Sequence, residues 1–244
     1  MKNPMIRPLA IWLVLGAAGS AHALDFTIAN APGTNFGFTI DSPAYNGAPG
    51  GGSFLITTNS NGGAWPSNVP ASFLTYCVDL YQQFGYGSMS GYSILAPTSA
   101  ANGNPGISLA QLDRIGRLMT YAYGSNGFGP SVTDSQANAI QAGIWEIVYE
   151  PTATAAGFDL GSGNYKLSAA FTSSSDFGRV NSWMGSGGVA TDLLSYQQYA
   201  VLYSPTQQDF LVPVPEPEAY GLALAGMGVV AFAKLRRRVD HKQA

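Results

Sequence analysis

Both ends of the 244-residue chain are apolar runs with basic flanks, and together they confine any globular fold to the stretch between Leu24 and Val212. Residues 1–23 carry Lys2 and Arg7, an apolar run from Leu9 to Ala18, and the small-x-small sequence Ala21-His22-Ala23. That is the layout of a cleaved secretory signal. At the other end, residues 213–218 follow Val212 as Pro213-Val214-Pro215-Glu216-Pro217-Glu218. This stretch is extended, because each proline fixes its own φ and turns its predecessor away from helix. Fifteen apolar residues, 219–233, come next. As a helix they reach about 22 Å, short of the ~30 Å hydrocarbon core. A short transmembrane helix of this kind suits a temporary hold better than a permanent anchor. The tail 234–244 opens with Lys234-Leu235-Arg236-Arg237-Arg238. This cluster is a basic stop that stays cytoplasmic and leaves the preceding domain outside the inner membrane.

With the ends set aside, the charge balance inverts. Only Arg114, Arg117, Lys166 and Arg179 remain between Leu24 and Val212, against eleven Asp and Glu, a formal charge of −7. A nucleic-acid reader needs a basic footprint, so nucleic acid is excluded as a partner. Both histidines, His22 and His241, lie outside this stretch. Ser-His-Asp and Cys-His catalysis and His-ligated metal sites are thereby excluded. No metal and no cofactor are expected. Asp79, Asp113, Glu146 and Glu150 offer acids for glycoside cleavage, but no spacing singles out a pair. Glu146 and Glu150, four apart, read as the solvent face of a helix. An enzyme is not expected.

The central 190 or so residues, 24–212, read as one domain. Asp25–Ile28, Gly37–Ile40 and Gly52–Thr57 mix β-branched and aromatic residues between Asn/Gly/Pro clusters, and Phe73–Leu80 is the most strand-like run. Helical spacing then takes over. Ser108 opens a helix with Gln111 placed for a capping box, and Asp134 caps a second that stops at Glu150 before Pro151. A weaker third runs from Ser175 to Gly185. Strands return at Tyr199–Tyr203 and Gln208–Val212. Strands, a helical insertion and closing strands predict an α+β domain, an antiparallel β-barrel or sandwich carrying the helices on one side.

Cys77 is the lone cysteine. An exported protein gains little from an unpaired thiol, and three readings stand open: a small buried hydrophobe, an intermolecular disulfide, or a sulfur held in an internal covalent bond.

Two resemblances narrow these readings. The C-terminal order of Pro215-Glu216-Pro217, short span and Arg236-Arg237-Arg238 resembles the PEP-CTERM sorting signal of Gram-negative bacteria. The resemblance implies that exosortase, a membrane peptidase, removes the tail near Glu218. The protein then passes to the cell surface or exopolysaccharide matrix. The second resemblance lies inside the domain. Tyr76-Cys77-Val78-Asp79, Gln141-Ala142-Gly143-Ile144-Trp145 and Gln208-Asp209-Phe210-Leu211-Val212 resemble, in order, the three motifs of bacterial thioester domains. Ile140 and Gly143 depart from that pattern, standing where the family has Thr and Ala. The resemblance implies a thioester between Cys77 and a glutamine, which an amine on a partner opens. Gln208 is the first choice of acyl partner and Gln198 the second, with Gln207 left open. Tyr76, Asp79, Gln141 and Trp145 would be the supporting residues, Gln141 hydrogen-bonding near the bond and Trp145 shielding it; Asp79 either orients a carbonyl or, as the expectation preferred here, faces solvent. Covalent attachment to an amine-bearing surface ligand or exopolysaccharide is thus one expectation. A structural or carbohydrate-binding matrix protein of the same fold, without the bond, is the alternative.

Overall fold

The computed structural model describes residues 23–31, 39–41, 46–47, 51–59, 65–66, 69–95, 107–124, 127–150, 158–172, 174–185 and 198–214. The secretory signal up to residue 22, the 219–233 span and the basic tail lie outside them. The elements run β1 (Leu24–Asn30), β2 (Ile40–Asp41), β3 (Asn46–Gly47), β4 (Phe54–Thr58), β5 (Ser72–Thr75), β6 (Gly87–Leu95), α1 (Leu109–Tyr123), α2 (Asp134–Tyr149), α3 (Ala169–Thr172), α4 (Ser175–Gly185), β7 (Gln198–Tyr203) and β8 (Phe210–Val214).

Six strands form one antiparallel sheet in the order β5-β4-β1-β6-β7-β8. Ile28 lies opposite Ile56, Ile56 opposite Phe73, and Phe54 opposite Thr75. Side chains alternate across a strand, so these residues share one face, and all are buried. The sheet then curls until its two edges meet. Past Thr75 the chain pairs with β8, setting Cys77 opposite Phe210. Val78 N–H donates to Asp209 O (2.9 Å) and Leu211 N–H to Tyr76 O (3.1 Å). The contact closes an antiparallel near-barrel through the residues that follow β5. The strand expected over Phe73–Leu80 is thus a four-residue ladder followed by a single bridge, since the chain changes partner at Tyr76.

The helices lie between β6 and β7, as the sequence order implied. Ser108 and Gln111 form the expected capping box of α1. The Gln111 amide also donates to Ile147 O (3.0 Å) and Val148 O (3.1 Å), satisfying carbonyls in the last turn of α2. Thr133, not Asp134, caps α2, with Gln136 closing the box. Asp134 is the first helical residue instead, where its charge meets the positive end of the helix dipole. Residues Ala137 to Tyr149 are buried on every side, so α2 is a central helix and not an amphipathic one. Gly143 makes that possible. A Cβ there would stand 2.9 Å from Leu118 Cδ2 and 3.0 Å from Val180 Cγ1, so any side chain here would make the Leu118 and Val180 side chains of α1 and α4 give way. The third helix, α4, has the expected bounds Ser175–Gly185.

Glu146 corrects the expected solvent face of α2. It is 1% exposed, and its Oε1 accepts from Asp159 N–H (3.2 Å) while Oε2 has no hydrogen-bond partner. Glu150 is half-buried, with Oε1 accepting from Asn164 N–H. Among the described residues no helix is long and apolar enough to cross a membrane.

Candidate functional site at the barrel seam

The seam that closes the barrel is where the predicted residues meet. Cys77 and Phe210 form a non-hydrogen-bonded antiparallel pair, the kind that brings side chains closest, and both face the buried interior. The N–H and C=O of Cys77 therefore point away from β8, toward the space beyond the end of β4. Gln141 fills it. Its Oε1 accepts from Cys77 N–H (2.9 Å) and its Nε2 donates to Cys77 O (2.7 Å), so one carboxamide on α2 replaces the missing strand. Gln141 is wholly buried, and this pair of bonds fixes the Cys77 backbone between β8 and the central helix.

Gln208 stands two residues before Phe210, in the lead-in to β8, and not on the strand as expected. Its Nε2 donates to Asp79 O (2.7 Å) and to Asp209 O (3.1 Å). The Gln208 carboxamide is thus held by its nitrogen beside the strand that carries Cys77. Tyr92, from the middle of β6, donates its hydroxyl to Gln208 O (3.0 Å) and to Gln207 Oε1 (3.4 Å). Gln198 begins β7 opposite Val214, at the far end of β8 from Phe210, whereas Gln208 lies two residues before Phe210, the bridge partner of Cys77.

Asp79 corrects another expectation. It is 2% exposed, and its carboxylate accepts from Tyr81 N–H (2.7 Å) in a tight Asx turn. Burial raises its pKa against the bonds from Tyr81, Gln82 and Tyr149. Asp209 is buried too, with Oδ1 accepting from Ser204 N–H (2.8 Å). Burial pushes its carboxyl up to about 7, with the Asp79 charge adding and the Ser204 bond opposing. The Cys77 thiol is pushed well up, by burial first and by Asp79 second, which keeps it neutral at rest.

Tyr76 points the other way, its hydroxyl bonded to that of Tyr123 on α1. Trp145, one turn after Gln141, is buried in the core. Three residues of the site have no place in the sequence analysis, Tyr92 and the aromatic pair Phe84 and Tyr86, and Asp209 enters there only as a member of the third motif. Phe84 stacks edge-on against Phe210 at 5.0 Å, and Tyr86, 55% exposed, has its phenol pKa raised by burial and then by Cys77. No short-range motif marks Tyr92, Phe84 or Tyr86; only the closure of the barrel gathers them.

Residues 213–238 match the family model of the PEP-CTERM protein-sorting motif. No curated protein and no solved structure matches the chain. The matched stretch begins inside β8 and takes in Pro215, Glu216, Pro217 and the Arg236–Arg238 cluster. The chain thus carries an exosortase sorting signal. That signal marks a secreted surface or matrix protein, exported, sorted at the membrane and directed toward the cell surface.

Proposed function

We propose that the exported domain forms an internal thioester between Cys77 and Gln208 and uses it once, to attach itself covalently to an amine-bearing partner at the cell surface or in an exopolysaccharide matrix. The observation that carries this reading is the seam. Cys77 and Gln208 lie on adjoining segments, and the carboxamide nitrogen is already held on two backbone carbonyls. In the first step the Cys77 sulfur attacks Gln208 Cδ. The S–C bond forms, the C–N bond breaks, and the thiol proton leaves with the nitrogen as ammonia. Asp79 O and Asp209 O are acceptors for the N–H groups of that departing nitrogen. In the second step an amine nitrogen attacks the same carbon, the C–S bond breaks, and the sulfur regains a proton.

Holding the two groups together supplies the effective concentration this exchange needs, and burial keeps water from the product. Gln141 serves as a positioning residue by locking the Cys77 backbone. Lys166 is the one lysine between Leu24 and Val212, so internal amines that would discharge the bond are scarce. A protein acting this way is consumed in its reaction and does not turn over. The exposed rings of Tyr81 and Tyr86 favour a second reading, stacking on sugar rings without any covalent step.

Intact mass of the exported protein separates the two. A thioester leaves the chain about 17 Da below its composition, since ammonia is expelled. Methylamine then adds to Gln208 and releases one thiol, and both effects vanish in Cys77→Ala and Gln208→Ala. A chain of full mass whose thiol titrates from the start eliminates the covalent reading and leaves the stacking one.

A further inference from the structure

The loop from Tyr81 to Tyr86 lies over the Cys77 side of the barrel, and its construction differs from everything around it. It has no regular secondary structure, although it joins the Cys77 segment directly to β6. Its one backbone bond to the β8 side is long, from Gln208 N–H to Gln83 O at 3.4 Å. Gln82 Oε1 is buried within it without a hydrogen-bond partner, a penalty that the closed loop bears and that solvent would relieve. Tyr86 sits between Gly85 and Gly87. A Cβ at Gly85 would meet nothing within 4 Å, and Gly87 holds φ +112°, a conformation that suits glycine.

Against this weak backbone attachment stands one well-packed ring. Phe84 packs edge-on against Phe54 and Phe210, each at 5.0 Å, and against Tyr86 at 5.7 Å. Phe210 is the cross-strand neighbour of Cys77, and Phe54 lies opposite Thr75, on the same face two residues earlier. Phe84 therefore packs on Phe210, the bridge partner of Cys77, and on Phe54 beside it. On its outer side Tyr86 is open to solvent, and its phenol pKa is raised by burial first and by Cys77 second.

We propose that Phe84 is the gate to Cys77, a specificity-determining residue that swings with the Gly85–Gly87 hinge and decides which reagents reach the sulfur or its acyl bond. The gate rests on the reading that Cys77 is the reactive atom; it does not require that a thioester has formed. In the closed state water and bulky groups are excluded. In the open state a slender nucleophile enters past Tyr86. The cost of withdrawing one ring from three aromatic neighbours keeps the open state in the minority. A reaction that proceeds only from a state populated at 0.1–10% is slowed about 10- to 1,000-fold.

The test uses the exported full chain after long incubation with methylamine. Every molecule then presents Cys77 as a thiol, whether or not it began as a thioester. Alkylation by iodoacetamide, in which sulfur displaces iodide and the thiol proton goes to buffer, is followed by mass. The expected result is an alkylation rate at least about tenfold higher in Phe84→Ala than in the unaltered protein, with Phe84→Leu between them. Equal rates in folded proteins overturn the gate. A second measurement needs no variant. In the unaltered chain, the ratio of native to denatured labelling rate falls steeply from iodoacetamide to a bulky maleimide, and a ratio independent of reagent size overturns the proposal equally. The mass before methylamine reports separately on the thioester, so failure of the gate and failure of the bond are read from different numbers.

Discussion

Gln141 is the residue on which the seam turns, because it does with a side chain what a strand does with a backbone. A carboxamide has one acceptor and one donor side at the spacing of a peptide group, and Cys77 uses both. Truncation in Gln141→Ala leaves a buried N–H and a buried C=O without partners. The expected loss is about 2–4 kcal/mol in denaturant unfolding. Gln141→Glu isolates the donor's share. Its carboxylate can still accept from Cys77 N–H, but its second oxygen then faces Cys77 O. That variant loses at least as much stability at neutral pH and recovers part of it in acid, where the protonated carboxyl can donate. A Glu variant whose deficit does not change with pH would refute this account of the clamp. The identities of Cys77, Gln141 and Gln208 were legible in short motifs. The burial of Asp79 was not, because an Asx turn and a solvated loop carry the same residue types.

Among the elements, α2 was read correctly in extent and wrongly in surroundings. Its bounds follow from local signals, a capping box and a following proline, which any window of sequence displays. Its burial follows from what packs on it, and Gly143 as a contact surface has no local signature. β6 was missed for the opposite reason. Gly87-Ser88-Met89-Ser90-Gly91 has little β propensity and becomes a strand because β1 and β7 flank it.

The central position of α2 has a measurable cost through Glu146. Its burial, with the Glu150 and Asp159 charges, raises the carboxyl to about 8, while the Asp159 N–H and Arg114 oppose the rise. In the unfolded chain the same group ionises near its ordinary value of about 4.5. Between those values the folded protein holds a proton that the unfolded chain releases, so stability falls as pH rises across the window. Asp209, raised to about 7, acts in the same direction. The melting temperature is expected to fall by about 5 °C or more from pH 5 to pH 8.5. Glu146→Gln, which is neutral throughout, flattens that slope. A melting temperature that rises over the interval contradicts the assignment of a protonated Glu146.

For the whole molecule, the barrel and the sorting signal meet at Pro213. This residue is the partner of Tyr199 in β8 and also the first residue of the sorting motif, so the last strand of the barrel runs directly into the signal. Barrel closure was not visible in the sequence. It depends on Cys77 meeting Phe210 across most of the domain, and no periodicity encodes that pairing. The sorting motif and the basic cluster behind it are visible in the sequence, because both are local. Adjacency sets a limit on processing, since a cut placed after Phe210 or before it would remove Leu211 and Val212 from the ladder and reopen the seam that orients Cys77. Cleavage beyond Pro215-Glu216-Pro217 leaves β8 whole. It also discards Lys234, Arg236, Arg237, Arg238 and Lys242, five of the eleven cationic residues, so the released domain is strongly acidic. The exported protein should therefore separate by isoelectric focusing into a less acidic, membrane-held form and a more acidic, released one. Replacing Pro215, Glu216 and Pro217 together by alanine should trap the first form, with the C-terminal tail still present in its intact mass. Release of that variant at the unaltered rate, with the same C-terminal residue, would mean that the cut is directed by something other than the motif.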